Sequence, residues 1–557
     1  MAMREGKIAM PENTAASTSR LDAIGTRYTA HVAAHEWRWV IIVGCSLVLL
    51  MFVPLIWVAL RGTPGWQFMG TLHNYLDGAT YLAKMRIGED GGWAVQFLHT
   101  PEVHDGAFIM LLYPLLGNLA HTSGLPLLVV FHAGRVIASL IMYAALYHLA
   151  ATIWMNVTTR RIFFTIAAVG AGFGWALIPV LGGIEVPDLF IPEAFPLVST
   201  FVNVHFPLTI GALALLVSIL ILAFRPAVKH DPAIDSMWWA ASALSFALAL
   251  LYPQSLVPIG GALALVVLLD TIERRQVSLR SVVWLLAVAL PALPVAVYYL
   301  MIVRANDVFA QWNAQNLTLA PPIWSWIIGL GFPLLLGIPA LFRAIRRMEP
   351  DGDRFMLFWL IAIFVAMYLP TNVQRRFSVG IMLPIAYFAT RALRDVWLPL
   401  IPRRVQRLLV SGVVLIAMSP LFLLFIPALP AMVGNPDAPG ALFLDSDYAE
   451  VYRWIDTRTD ENDVVLASPD GSIWLPGWAG ARVVYGHAYE TIGAAEKEAL
   501  VRGWYAETDP TACSGLIEQF NIRYILFGPE EAALGQSVCV EGLRELTHIG
   551  DVTIYVP

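Results

Sequence analysis

Eleven apolar runs dominate the sequence, most of them close to the roughly 20 residues that a helix needs to cross a bilayer. Only 14% of the residues are charged, whereas about 25% is usual in soluble proteins. The runs are Trp39–Leu60, Leu125–Trp154, Ile162–Leu181, Phe206–Phe224, Met237–Tyr252, Leu256–Leu269, Val282–Val303, Ile323–Phe342, Phe355–Leu369, Ser378–Ala392 and Leu408–Pro427. We therefore predict a polytopic α-helical membrane protein with about 11 transmembrane helices. The sequence has neither a basic tail nor a zinc-type spacing of Cys and His, so we do not expect nucleic acid as a partner.

Basic residues between the runs predict the orientation, because cytoplasmic loops are enriched in Lys and Arg. The arginines at 160–161, 274–275, 343–347 and 391–407 all fall on the side of the polar N-terminal tail, residues 1–38. This alternation requires that the short apolar piece Ala107–Ala120 does not cross the bilayer. We expect a multi-pass protein of the plasma membrane with a cytoplasmic N-terminus and an extracytoplasmic C-terminal region.

A change of composition near residue 429 predicts a second domain. Residues 39–428 are expected to form the transmembrane domain with a long first outer loop, 61–106, and residues 429–557 a small soluble α/β domain. Strands are expected at Val464–Ala467, Ala481–Tyr485, Ile522–Phe527 and Val552–Val556. If this domain is extracytoplasmic, Cys513 and Cys539 can form a disulfide, with two free thiols as the alternative.

The segment His73–Lys84 in the first outer loop reads as an amphipathic helix. The polar face holds His73, Asn74, Asp77, Tyr81 and Lys84, and the apolar face holds Leu72, Leu76, Ala79, Ala83 and Ile87. Such a helix is expected to lie along the bilayer surface and to present Asp77 at the boundary between water and lipid. The alternative is a solvated helix whose charges have no chemical role.

Other polar side chains of the outer loops are candidates for binding. Arg375 and Arg376 stand at the outer end of a span, where positive charge is uncommon, and guanidinium groups suit a lipid-linked phosphate. Glu193 and His205 either point into the same outer cleft or cap helices. A divalent metal could be bound by His99, Glu102, His104 and Asp105, although such a cluster in a long loop is more often simply solvated.

Short motifs spread over most of the chain resemble the GT-C superfamily of polytopic glycosyltransferases, which includes protein O-mannosyltransferases and aminoarabinose transferases. The pattern is most similar to a group of uncharacterised bacterial membrane proteins. The motifs are Asp77-Gly78-Ala79-Thr80-Tyr81-Leu82-Ala83-Lys84, Pro192-Glu193-Ala194-Phe195, Gln374-Arg375-Arg376-Phe377, Val484-Tyr485-Gly486-His487 and Arg523-Tyr524-Ile525-Leu526-Phe527-Gly528-Pro529.

The resemblance implies an inverting glycosyltransferase that moves a sugar from a polyprenyl-phosphate donor to a lipid, glycan or protein acceptor on the outer side. Asp77 matches the first-loop acid of the family and would be the general base, while Arg375 and Arg376 would hold the leaving phosphate. Lys84, Glu193 and His205 are expected to contact substrate. The chain departs from the family in lacking a second acid beside Asp77, the nearest pair being Glu89-Asp90.

Two other functions remain open from the sequence. A transporter or flippase of a lipid-linked substrate would use intramembrane charges such as Arg135 and helices broken by proline, but no repeated half is visible. A non-catalytic protein of cell-envelope glycan assembly would use its soluble domain for binding. The transferase hypothesis requires that Asp77 and the arginine pair line one cleft.

Overall fold

A computed structural model describes residues 32–181, 186–226, 231–350, 352–418, 442–460 and 462–557. Most of the predicted N-terminal tail, the end of the run Leu408–Pro427 and the start of the predicted soluble domain lie outside these residues. The helices before residue 419 are α1 (Ala34–Ala59), α2 (Tyr75–Glu89), α3 (Leu112–Ser123), α4 (Leu127–Ile153), α5 (Val157–Val169), α6 (Gly174–Leu181), α7 (Pro187–Phe190), α8 (Pro196–Val202), α9 (His205–Phe224), α10 (Pro232–Asp235), α11 (Trp238–Leu251), α12 (Leu256–Arg274), α13 (Leu279–Ala289), α14 (Leu293–Ala305), α15 (Asp307–Gln315), α16 (Ile323–Arg347), α17 (Asp353–Met367), α18 (Met382–Ala392) and α19 (Arg403–Met418).

Shorter turns of helix join several of these elements. Turns of 3₁₀ helix occupy Pro192–Ala194, Pro253–Ser255, Leu290–Ala292, Gln374–Ser378, Leu398–Leu400 and Pro510–Ala512, and a π-helical turn occupies Leu393–Trp397. The C-terminal helices are α20 (Ser446–Asp456), α21 (Leu475–Ala479), α22 (Ala494–Tyr505), α23 (Cys513–Phe520) and α24 (Pro529–Ala532). The strands are β1 (Trp66–Phe68), β2 (Phe443–Asp445), β3 (Val464–Leu466), β4 (Arg482–Val483), β5 (Ile522–Phe527), β6 (Arg544–Ile549) and β7 (Val552–Val556).

Seven helical segments among the described residues are long and apolar enough to cross a membrane. They correspond to seven of the eleven predicted runs: Ala34–Ala59, Leu127–Ile153, His205–Phe224, Pro232–Leu251, Pro253–Arg274, Leu279–Ala305 and Ile323–Arg347. Within the described residues, the other four runs contribute shorter helices. The run Ile162–Leu181, for example, is divided between α5 and α6 by extended backbone at Gly170.

The apolar piece Ala107–Ala120 contributes to α3, which has 12 residues. At 1.5 Å per residue, such a helix is about 18 Å long and cannot span a hydrocarbon core of about 30 Å. It ends at Gly124, whose positive φ of 67° is typical of a helix C-terminus. The helix packs on α2 instead, and a Cβ on Gly117 would lie 1.9 Å from the Met85 carbonyl oxygen, so the two backbones are in direct contact.

The C-terminal residues fold around a mixed five-stranded sheet in the order β4-β3-β5-β7-β6. β3 is parallel to β4 and β5, whereas β7 is antiparallel to β5 and β6. The strands expected at Ile522–Phe527 and Val552–Val556 are confirmed, and β6 is an additional strand. A disulfide joins Cys513 and Cys539, one of the two outcomes that the sequence left open.

The described C-terminal residues, 442–460 and 462–557, which we call the roof, pack against the first outer loop. β1 in the loop pairs antiparallel with β2 at the start of the described C-terminal part. Farther along the loop, Arg482 donates to the Phe97 carbonyl at 3.0 Å, and Lys497 forms an ion pair with Glu102. The loop is therefore bound to the roof at several places along its length.

The polar face of α2 is covered by protein. Tyr81 and Lys84 of its polar face are buried, and α21 of the roof packs against the helix at Gly477, where a Cβ would lie 3.0 Å from the Cβ of Leu82. The polar face contacts the C-terminal residues, so its charges have protein partners rather than water.

Candidate active site

A cleft with about 990 Å³ of empty space, its mouth included, opens between the roof and the membrane helices. Five predicted site residues line it: Asp77, Glu193, His205, Arg375 and Arg376. The remaining lining side chains include Asn74, Tyr81, Tyr252, Trp312, Asn316, Thr318, His487, Tyr489 and Glu490. The acid of the first loop and the arginine pair therefore share one chamber.

Asp77 lies in the first turn of α2, where the helix dipole favours a carboxylate. Asn74 precedes the helix in the left-handed conformation, with φ at 51°, and its amide donates to Oδ2 of Asp77. On the other side, Nε2 of His487 lies 3.6 Å from Oδ1. The Asp77 side chain is 39% exposed, and because it lines the cleft, that exposure is to the enclosed chamber.

The electrostatic surroundings keep Asp77 ionised. Burial alone raises the pKa of a carboxyl group, but the nearby His487 imidazole and the hydrogen bond from Asn74 outweigh burial and leave the pKa of Asp77 below its ordinary value. Such a carboxylate is unprotonated at neutral pH. It can therefore accept a proton from a bound hydroxyl group.

A buried ionic cluster supports this wall of the cleft. Glu490 forms an ion pair with Lys84 of α2, and its other oxygen lies 3.6 Å from Nδ1 of His99. Burial alone would raise the pKa of Glu490, but Lys84 and His99 lower it. Lys84 is 1% exposed and lies behind the cleft lining, so its ammonium group holds the roof against α2.

The opposite wall carries the positive charge. Arg376 donates to Asn316 at 3.3 Å, while Arg375 lies against the Phe190 ring at 5.8 Å. Among the described residues, the buried Nε of Arg375 has no hydrogen-bond partner. Glu193 stands near both guanidinium groups and accepts from the Tyr252 hydroxyl at 3.5 Å. This wall has unused donor capacity for an anion.

His205 lies at the start of α9, between the two walls. Its Nδ1 shares a hydrogen bond of 2.7 Å with the Tyr113 hydroxyl, and the Tyr113 ring stacks on Tyr81 at 4.5 Å. A second, mostly apolar pocket of about 630 Å³ adjoins the cleft here and shares Met110, His205, Tyr252, Trp312 and Arg376 with it. The polar cleft is therefore continuous with an apolar cavity.

The expected metal site at His99, Glu102, His104 and Asp105 is not formed. In the part of the chain that the structure describes, no three His, Cys, Asp or Glu side chains are grouped to hold a metal ion. His99 bonds to the Ile473 carbonyl at 3.0 Å, Glu102 pairs with Lys497, and His104 accepts from the Phe97 amide at 3.1 Å. His99 and Glu102 therefore tie the loop to the C-terminal residues, His104 bonds within the loop, and Asp105 is exposed.

Sequence reasoning missed part of this site. The sequence assigns no role to Glu490 and includes His487 only in a motif shared with other proteins. Nothing in their local sequence indicates that these two residues contact a helix far earlier in the chain. Trp312 also lines the cleft. Arg135 forms structural bonds to the Thr200 carbonyl and to His132, and it lies outside the cleft lining.

Solved structures share the fold of this chain, although no protein-family model matches the sequence and no curated protein is significantly similar to it. The oligosaccharyltransferase of Archaeoglobus fulgidus, solved with zinc and sulfate, is 14% identical with a TM-score of 0.54, over 87% of this chain and 68% of that one. ArnT from Cupriavidus metallidurans, solved with undecaprenyl phosphate, is 14% identical with a TM-score of 0.54, over 94% and 98%.

The arabinofuranosyltransferase AftD from mycobacteria is 14% identical with a TM-score of 0.50. The similarity covers 95% of this chain but only 40% of AftD. At this level of identity, the three likenesses establish the fold alone.

Proposed function

From the GT-C fold that this chain shares with the three neighbours, we propose that the protein is a membrane glycosyltransferase. It transfers a sugar from a polyprenyl-phosphate donor to an acceptor on the extracytoplasmic side. The observation that carries the proposal is that Asp77 and the arginine pair line the same cleft. A base and a phosphate-binding pair in one chamber are the two components that such a transfer requires.

Arg375 and Arg376 bind the donor phosphate in this proposal. A sugar phosphodiester carries one negative charge, and two guanidinium groups offer it charge-assisted hydrogen bonds. Both arginines line the cleft in which the phosphate would bind. During transfer the leaving phosphate gains a second negative charge, so these contacts strengthen in the transition state.

The apolar pocket beside the cleft suits the first isoprene units of the carrier. It is bordered by Leu250, Leu251 and Tyr299, and Arg376 stands at its junction with the cleft. A donor with its phosphate at Arg376 would place its lipid in the apolar pocket and its sugar in the polar cleft. Undecaprenyl phosphate is the ligand solved with ArnT, the neighbour that this chain covers almost completely.

Asp77 acts as the general base. It takes the proton of the acceptor hydroxyl while the acceptor oxygen bonds to the anomeric carbon, and the bond from that carbon to the phosphate oxygen breaks with its electron pair leaving on phosphate. Attack from the face opposite the phosphate inverts the anomeric configuration. The extracytoplasmic location is supported by the disulfide, which persists in oxidising compartments, and by the basic loops on the other side.

The test is a transfer assay with purified protein and a panel of polyprenyl-phosphate sugars. We expect the wild type to release polyprenyl phosphate with an active donor, and Asp77→Asn to be slower by about 10²- to 10⁴-fold. Asp105→Asn is the matched control, because this acid of the same loop is exposed and lies outside the cleft lining. Equal turnover by Asp77→Asn and wild type would remove Asp77 from the role, and no turnover with any donor would favour transport or glycan assembly.

A further inference from the structure

A tight turn of the roof, residues 486–491, brings the soluble part of the chain against Asp77. Thr491 holds the turn together, because its hydroxyl oxygen accepts from the amides of Gly486 at 3.2 Å and His487 at 3.1 Å, and the hydroxyl donates to the His99 carbonyl. Gly486 leaves no room for a side chain, since a Cβ there would lie 2.9 Å from the His99 ring. The turn is therefore fixed against the first outer loop.

His487 is held in one orientation and one tautomer by this turn. The backbone amides of Tyr489 and Glu490 both donate to its Nδ1, each at 3.1 Å. A ring nitrogen that accepts two N–H groups carries no proton, so the proton of the neutral imidazole resides on Nε2. With the side chain 3% exposed, the ring has no other position to occupy.

The Nε2–H group of His487 faces the carboxylate of Asp77. The distance from Nε2 to Oδ1 is 3.6 Å, slightly longer than a hydrogen bond, and catalytic hydrogen bonds often shorten when substrate binds. The Asn74 amide already donates to Oδ2. The two donors thus approach the carboxylate from opposite sides and define the direction left open for the acceptor proton.

We propose that His487 is a positioning residue that donates its Nε2–H to Oδ1 of Asp77 and holds this carboxylate in the orientation needed to deprotonate the acceptor. The proposal deepens the proposed function and rests on it. It assigns to the soluble part of the chain a direct contribution to the reaction centre.

Other titratable groups around Asp77 do not supply such a donor. Those that interact with it electrostatically or line the cleft beside it are Tyr81 of its own helix, Tyr113 of α3, His205 of α9, Glu490 of the turn and Arg376 of the opposite wall. Tyr113 is bonded to His205, and Arg376 to Asn316. Since Glu490 is an anion, its charge opposes ionisation of Asp77 and makes the donor from His487 more necessary.

Two substitutions separate positioning from a structural role. The side-chain oxygen of Asn in His487→Asn can accept the turn amides as Nδ1 does, but the residue is too short to reach Asp77. The side-chain amide of Gln in His487→Gln can reach Asp77 as Nε2 does, but it no longer supports the turn. If His487 only supports the turn, His487→Asn should keep more activity than His487→Gln. If His487 positions Asp77, His487→Gln should keep more activity.

We expect His487→Asn to lower kcat by about 10- to 100-fold, with the KM for the donor changed less than about twofold. The acid limb of its pH profile should move up by about one pH unit, because the base has lost a donor that favours its ionised form. His487→Gln should recover most of kcat and the original limb. His548→Asn, at an exposed position of β6, is the control and should match wild type. Equal activity of the two His487 variants, or an unmoved acid limb, would overturn the proposal.

A measurement without activity separates this proposal from the proposed function. In protein labelled with ¹⁵N-histidine, with the His487 signals assigned from their loss in His487→Gln, we expect an unprotonated Nδ1 and a protonated Nε2 at neutral pH. Asp77→Asn should shift the Nε2 signal. If no donor supports transfer but these signals are found, the proposed function fails while the contact stands; a protonated Nδ1, or signals indifferent to Asp77→Asn, refutes the contact itself.

Discussion

Arg375 and Arg376 occupy one 3₁₀ turn, but different contacts hold their side chains. Asn316 fixes the guanidinium of Arg376 through a hydrogen bond of 3.3 Å. Arg375 lies over the Phe190 ring, and its buried Nε has no partner among the described residues. Arg376 is therefore held by a hydrogen bond, whereas Arg375 is held by its contact with the Phe190 ring and by the nearby Glu193 carboxylate.

We expect Arg375→Ala and Arg376→Ala each to lower kcat/KM for a polyprenyl-phosphate donor by about 10- to 100-fold, the range for losing a hydrogen bond to a charged group. Lysine at either position should restore activity only in part, because it keeps the charge but loses the planar pair of donors. Steady-state kinetics over a range of donor concentrations measures this. Arg453→Ala, at a 66% exposed position of α20, should behave as wild type. An unchanged kcat/KM in both alanine variants would contradict phosphate binding at this wall.

At the residue scale, the sequence was informative where a side chain stands in an unusual local context. An acid just after the first span and an arginine pair at an outer span end are such contexts, and both line the cleft. His487 has no such mark, since its role depends on a turn that docks against a helix from the opposite end of the chain. His99, Glu102 and His104 are close in sequence to Asp105, but each of these three side chains bonds to a different partner, and Asp105 is exposed.

At the scale of elements, α2 shows why periodicity predicted a helix but not its surroundings. The helix is confirmed, but Tyr81 and Lys84 of the expected polar face are buried, because a polar face can be covered by protein as well as by water. Here it is covered by the 486–491 turn, and Lys84 is neutralised by Glu490 across that contact. The sequence also did not predict the pairing of β1 with β2, because strands of three residues carry too little pattern to be recognised.

The Lys84–Glu490 pair should determine how firmly the roof docks on α2. Both side chains are buried, at 1% and 9% exposure. Because removing one partner leaves an uncompensated buried charge, we expect Glu490→Gln to cost about 3–5 kcal/mol. Thermal unfolding in detergent and protease resistance of the roof measure the effect. The double variant Lys84→Met with Glu490→Leu should recover much of the lost stability. If the double variant is no more stable than Glu490→Gln, the ion pair does not determine how firmly the roof docks on α2.

The same contact predicts a pH dependence. The pKa of Glu490 is lowered in the folded protein, so unfolding binds a proton as the pH falls. The contribution of ionised Glu490 to the free energy of unfolding is therefore complete above the pKa of an unfolded glutamate, about 4.3. It is lost as the pH falls through the lower pKa that Glu490 has in the folded protein. Wild type and Glu490→Gln should differ most near neutral pH, and their unfolding temperatures should converge in acid. Parallel curves down to the lowest accessible pH would contradict this assignment.

At the scale of the whole molecule, a polar roof lies over a set of apolar helices, and the proposed chemistry occurs where they meet. Composition predicted the membrane part and helix–strand alternation predicted most of the sheet, because both are local properties. The docking of the roof was not predictable, since it depends on single contacts such as Arg482 with the Phe97 carbonyl. Such contacts bind the loop that carries Asp77 to the roof, whereas the arginine pair comes from the membrane part, so the cleft is formed by parts that are distant in sequence.

The orientation of this assembly can be tested through its cysteines. The disulfide lies in the roof, and Cys45 of α1 is the free cysteine. If the roof is extracytoplasmic, a membrane-impermeant maleimide added to intact cells should label Cys513 and Cys539 only after a membrane-impermeant reductant is added. A Cys45→Ala background removes the third thiol, and cells lysed before labelling give the full signal. Labelling only after lysis would place the roof in the cytoplasm and exclude a donor on the outer leaflet. Labelling of intact cells without reductant would leave the roof outside but contradict the disulfide.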